Sequence, residues 1–86
     1  MNEITFAVLC ELINNSYAVC IDGSLCFPVT YPDSIEFGGS LCVDVDADAI
    51  TKIIVIDESD TTVPKIRVET EMDYYHIVLL HPFKPN

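Results

Sequence analysis

Through the second half of the chain, apolar residues return at every second position, the period of a strand with one face buried. Leu41, Val43 and Val45 alternate with Cys42, Asp44 and Asp46. Ile66, Val68, Thr70 and Met72 alternate in the same way with Lys65, Arg67, Glu69 and Glu71. Each run predicts a strand with an inward apolar side and an outward polar one. Ile50-Thr51-Lys52-Ile53-Ile54-Val55-Ile56 is β-branched almost throughout, which reads as a central strand covered on both faces. Tyr74 to Leu80 reads as the last strand, and Pro82 and Pro85 stop further pairing.

Turn chemistry divides the rest. Asp22-Gly23 separates the apolar runs Tyr17-Ala18-Val19-Cys20-Ile21 and Leu25-Cys26-Phe27-Pro28-Val29-Thr30-Tyr31. Both residues tolerate positive φ, so the pair predicts a tight hairpin. Pro28 lacks an amide hydrogen and places the second strand nearer an edge, or at a bulge. Tyr31-Pro32-Asp33-Ser34 and Gly38-Gly39-Ser40 read as turns flanking the short extended piece Ile35-Glu36-Phe37. Asp48-Ala49 and the charged Asp57-Glu58-Ser59-Asp60 mark further breaks.

The N-terminal segment supports two periods. Ile4, Phe6, Val8, Cys10 and Leu12 alternate, as a strand requires. Wound as a helix, the same segment gathers Glu3, Ala7, Glu11 and Asn14 on one side, and Asn14-Asn15-Ser16 serves as hairpin loop or helix end. The alternation favours the strand. The expected fold is therefore mainly β: a small antiparallel barrel or sandwich of about six to seven short strands. One N-terminal helix is the alternative for residues 4–12.

Composition narrows the function. A chain of 86 residues is one domain, and with 50% hydrophobic residues it has material for a core. No run approaches the ~18 apolar residues of a membrane span. Met1-Asn2-Glu3 lacks the basic start of a secretory signal, so a cytoplasmic location is expected. Cys10, Cys20, Cys26 and Cys42 form no CxxC pair and are expected as free thiols, Cys20 among the buried ones. Fourteen Asp and Glu against four Lys and Arg (Lys52, Lys65, Arg67, Lys84) give a net charge of −10. Such a field repels nucleic-acid phosphates and steers encounters with basic surfaces.

Catalytic signatures are missing. Asp44-x-Asp46-x-Asp48 opens like a calcium loop, but Ala49 and Val55 stand where that loop needs glycine and a bidentate glutamate. His76 and His81 lie five apart and face opposite ways on an extended strand. There is no GxGxxG, GK[ST], GxSxG or HExxH. No enzyme, metal or cofactor is expected.

What remains is the arrangement of carboxylates. Residues two apart on a strand lie ~7 Å apart on one face. Asp44, Asp46 and Asp48 form one such row, extended by Asp57, Glu58 and Asp60, and Glu69, Glu71 and Asp73 form a second. Spacings of this order are comparable to those of successive phosphates, so the rows suit the groove of a basic, nucleic-acid-handling protein. DNA-mimic inhibitors, among them small acidic phage proteins that block restriction or CRISPR machinery, work by this logic. The likeness is one of size, charge and absent catalytic motif. The expectation is an acidic inhibitor of a basic protein. The alternative is a ligand-sequestering or assembly β module, with Tyr17, Tyr31, Tyr74 and Tyr75 lining a pocket or a subunit interface.

Overall fold

The structure of the protein, a computed structural model, describes residues 2–39, 43–56 and 65–80. Its first substantial element is a helix, α1 (Phe6–Asn14), and not the strand expected over residues 4–12. Thr5 caps it: its Oγ1 accepts from the Val8 amide at 3.2 Å. At the other end the Asn15 and Ser16 amides donate to the Glu11 and Ile13 carbonyls, and the Ser16 hydroxyl donates to the Leu12 carbonyl at 2.8 Å. Leu9 and Ile13, one turn apart, are buried, while Ala7, Val8, Glu11 and Asn14 are exposed. The period-two set included the exposed Val8 and omitted both of the most buried residues. Helical spacing brings Phe6, Leu9, Cys10 and Ile13 toward one core.

Among the described residues, eight antiparallel strands follow the sheet order β1-β6-β7-β8-β2-β3-β4-β5. They are β1 (Asn2–Glu3), β2 (Ala18–Ile21), β3 (Ser24–Thr30), β4 (Ser34–Gly39), β5 (Val43–Asp46), β6 (Ile50–Ile56), β7 (Lys65–Thr70) and β8 (Tyr74–Leu80). The sheet is a curled half-barrel of seven main strands, with the two-residue β1 added at one edge. Its inner face carries Val19, Ile21, Cys26, Ile35, Phe37, Val45, Ile53, Ile66, Val68, Ile77 and Leu79, which form one cluster with Leu9 and Ile13 of α1. Burying each such side chain contributes about 1.5–3 kcal/mol relative to exposure.

The β2–β3 hairpin turns on Asp22 and Gly23 at φ 48° and 90°, with Ile21 paired to Ser24. This is the primed turn that Asp-Gly predicts. Several placements differ from expectation. β6 is not central: among the described residues only β1 lies beyond it, and Thr51 and Lys52 are exposed. β-Branching reports fit to a pleated surface, not rank within a sheet. β3 lies inside the sheet, between β2 and β4. Pro28 is tolerated there because the β2 register reaches Cys26 and stops short of it.

Gly38 and Gly39 continue β4, opposite Phe27 and Cys26, and do not turn the chain. β7 ends at Thr70, so Met72 is not inward but 91% exposed. Cys10, Cys20 and Cys26 are free thiols. The buried one is Cys26, since Cys20 shares the outer face while Val19 and Ile21 point inward. Cys42, and the expected loop over 57–60, lie outside the described residues.

Two sets of substitutions test this fold by urea unfolding. Leu9→Ala should cost about 2–5 kcal/mol, while Val8→Ser should stay within about 0.5 kcal/mol; the reverse order would restore the strand. Gly39 has φ 95°, and an added Cβ would lie 2.8 Å from the Leu25 carbonyl oxygen. Gly23 shares the positive φ but has nothing within 4 Å. Gly23→Ala should therefore cost about 1–2 kcal/mol for its backbone alone, and Gly39→Ala distinctly more.

Candidate protein-binding site

The curl of the sheet sets the carboxylate geometry. On one side, β5 presents Asp44 and Asp46 outward while Val45 enters the core. The chain then passes through a one-turn 3-10 helix, Ala47–Ala49. The Ala47 amide donates to the Asp33 carbonyl at 2.8 Å, which ties this segment to the β3–β4 turn. On the other side, Thr70 organises the β7–β8 turn. Its Oγ1 accepts from the Asp73 and Met72 amides at 2.9 and 3.3 Å, and its own amide donates to the Asp73 carbonyl at 2.8 Å. The hydroxyl closes a turn that displays Glu71, Met72 and Asp73 to solvent.

These two segments meet. Asp44, Asp46 and Asp48 line the same open cleft as Glu71 and Asp73, with Val45, Ala49, Thr70, Met72 and Tyr75 between them. The cleft holds about 340 Å³, and no Lys, Arg or His lines it. Carboxylates from segments more than twenty residues apart thus share one mouth, where their fields add. Only Asp44 and Asp46 keep the expected strand row: Asp48 lies on the 3-10 helix, and Glu71 and Asp73 lie on the turn after β7 ends at Thr70, so Glu69, Glu71 and Asp73 do not form one strand face. The meeting of the two segments follows from the sheet order, which no local pattern carries.

The remaining candidates fall elsewhere. Glu69 lies beside Arg67, its Oε2 at 3.2 Å from the guanidinium Nε, close enough for an ion pair but outside hydrogen-bond alignment. Asp57, Glu58 and Asp60 lie outside the described residues. Met72, at the rim of the cleft, was missed because alternation assigned it to the core. Among the described residues, no group of three or more His, Cys, Asp and Glu is placed to hold a metal ion. Among the same residues, no helix is long and apolar enough to cross a membrane.

Two further features complete the surface. Arg67 stacks on Tyr74, 4.4 Å from the ring centroid, and Tyr74 meets His76 edge-on at 5.3 Å. The His76 amide donates to Asp22 Oδ1 at 3.4 Å, which joins β8 to the β2–β3 turn. On the helix side, Phe6, Ala7, Cys10, Glu11, Asn14, Asn15, Tyr31 and Pro32 line a more apolar cleft of about 410 Å³. Burial pushes the Cys10 thiol above its ordinary pKa. The cleft offers it no Lys, Arg or His to favour a thiolate.

No family model matches the chain, and neither a curated protein nor a solved structure does.

The Cys10 environment gives a pH-dependent prediction. Its raised pKa keeps the thiol neutral to higher pH than in an unfolded chain. Alkylation of Cys10 in the native protein, followed by peptide mass spectrometry, should therefore rise at higher pH than in urea. Coincident profiles would contradict its burial.

Proposed function

We propose that this protein is an acidic inhibitor that occupies the basic nucleic-acid-binding surface of a target enzyme, in the manner of phage anti-restriction and anti-CRISPR proteins. One observation carries the reading. Five carboxylates from two distant segments converge on one open cleft that no cation lines. A carboxylate cluster used only for solubility gains nothing from convergence, because like charges brought together repel. Convergence is useful where a cationic partner neutralises them. Met72 at the rim adds an exposed apolar contact, and a polarizable thioether adapts well to a partner surface.

The mode of action follows from the charge. A surface of net charge −10 is drawn quickly to a basic groove. Once seated there, its carboxylates engage the Lys and Arg that would otherwise contact phosphates. Inhibition is then competitive with nucleic acid and weakens with salt.

The test is cleavage of duplex DNA by purified restriction endonucleases and CRISPR nucleases. The protein is added before or after the DNA. Inhibition should be strong when the protein is added first and should fall as DNA or salt rises. Each exposed carboxylate contributes about 0.2–1 kcal/mol. Combining Asp44→Asn, Asp46→Asn, Glu71→Gln and Asp73→Asn should then weaken inhibition about fourfold or more, with the circular dichroism spectrum unchanged. Inhibition untouched by the four substitutions, or absent across the panel, overturns the reading.

A further inference from the structure

The outer face of the sheet breaks the rule that a strand's solvent side is polar. On β3 the outward residues are Leu25, Phe27 and Val29, which are 43%, 52% and 49% exposed. Tyr31 continues their line, with its hydroxyl 3.5 Å from Glu36 Oε2. The register extends the band sideways through half-buried positions, Leu25 pairing with Cys20 and Cys20 with Val78 on the same face, while Ala18 on that face is buried. Single exposed apolar residues are ordinary, but a contiguous band across three adjacent strands marks an interaction surface.

The charges around this band are sorted. On the β4–β5 flank the outward charged residues are Glu36, Asp44 and Asp46, with Val29, Glu36 and Asp44 forming one cross-strand row. On the β6–β7 flank lie Lys52, Lys65 and Arg67, three of the four Lys and Arg in the chain. Glu69 joins them and is engaged by Arg67. A chain of net charge −10 thus holds its described cations on one side of one face. In the sheet order the basic and acidic flanks lie on either side of β8, β2 and β3, which carry the apolar positions.

We infer that this face binds a second copy of the chain. A purely basic partner would suit the acidic flank but would meet Lys52, Lys65 and Arg67 on the other. A second copy satisfies both flanks. A two-fold axis lying between the sheets, along the strands and through the apolar band, turns each acidic flank toward its partner's basic flank. Such a contact is isologous and closes as a dimer, with sheets stacked as in a β-sandwich. Because the sheet is curled around its core, contact centres on β2, β3 and β8, where the apolar band lies. The acidic flank shares Asp44 and Asp46 with the cleft at the β7–β8 turn, but dimerisation is read by sedimentation and inhibition by DNA cleavage, so each can fail alone.

Sedimentation velocity of the full chain, reduced and at physiological salt, tests it from micromolar to sub-millimolar concentration. A monomer–dimer equilibrium is expected. Phe27→Asp combined with Val29→Asp should weaken it at least tenfold. Both residues lie outside the core, and an unchanged circular dichroism spectrum verifies folding. Glu36→Lys alone should weaken the dimer, as should Lys52→Glu with Lys65→Glu, and mixing the two variants should recover heterodimer. A monomer at every concentration overturns the inference, as does a dimer indifferent to Phe27 and Val29. A monomer that loses inhibition on Phe27→Asp also overturns it and assigns the face to a foreign partner.

Discussion

The packing of α1 against the inner face of the sheet is the contact on which the rest depends. A single antiparallel sheet needs one face covered, and here Leu9 and Ile13 close the cluster around Val19, Ile66 and Leu79. Covering the face with so short a helix is sufficient only because the sheet curls around it. The curl in turn carries β5 toward the β7–β8 turn, and the carboxylate cleft exists for that reason. The same curl turns the remaining strand positions outward, where the apolar band of β3 lies. Core, cleft and outer face are consequences of one wrapping.

Charge is arranged on this frame without help from burial. The core contains no charged side chain among the described residues, so the acidic residues add nothing to packing and are free to serve the surface. Their self-repulsion opposes the compact state, and the apolar cluster must offset it. The cations are placed more selectively. Arg67 is held by Glu69 and Tyr74 together, an arrangement that fixes its guanidinium on the outer face. The two surfaces therefore differ in character. The cleft at the β7–β8 turn is acidic throughout, whereas the outer face is apolar with opposed charges at its ends.

Much of the sheet was legible in the chain. The Asp22-Gly23 hairpin follows from two residues that accept positive φ. The outward parity of Asp44, Asp46 and Lys65 follows from burying Val45 and Ile66. Where the reading failed, either a tertiary contact or a local side-chain hydrogen bond had overruled the apolar period. Residues 4–12 fit both periods, and the choice fell to the helix because the sheet needed covering. Met72 kept the parity of Val68 but lost its place in the strand when Thr70 closed the turn with its hydroxyl.

What the sequence by itself determined was most of the short β segments, the inward and outward sides of their paired residues, the free thiols of Cys10, Cys20 and Cys26 and the sign of the field. Each depends on residue type and on neighbours within a few positions. Only the tertiary structure decided strand order, and with it which strand is central, which cysteine is buried and which carboxylates meet. Strand order rests on pairings between segments far apart in the chain, such as β2 with β8. Pairings of that kind are selected by how the whole apolar set closes into one core, and no stretch of the chain records that choice alone.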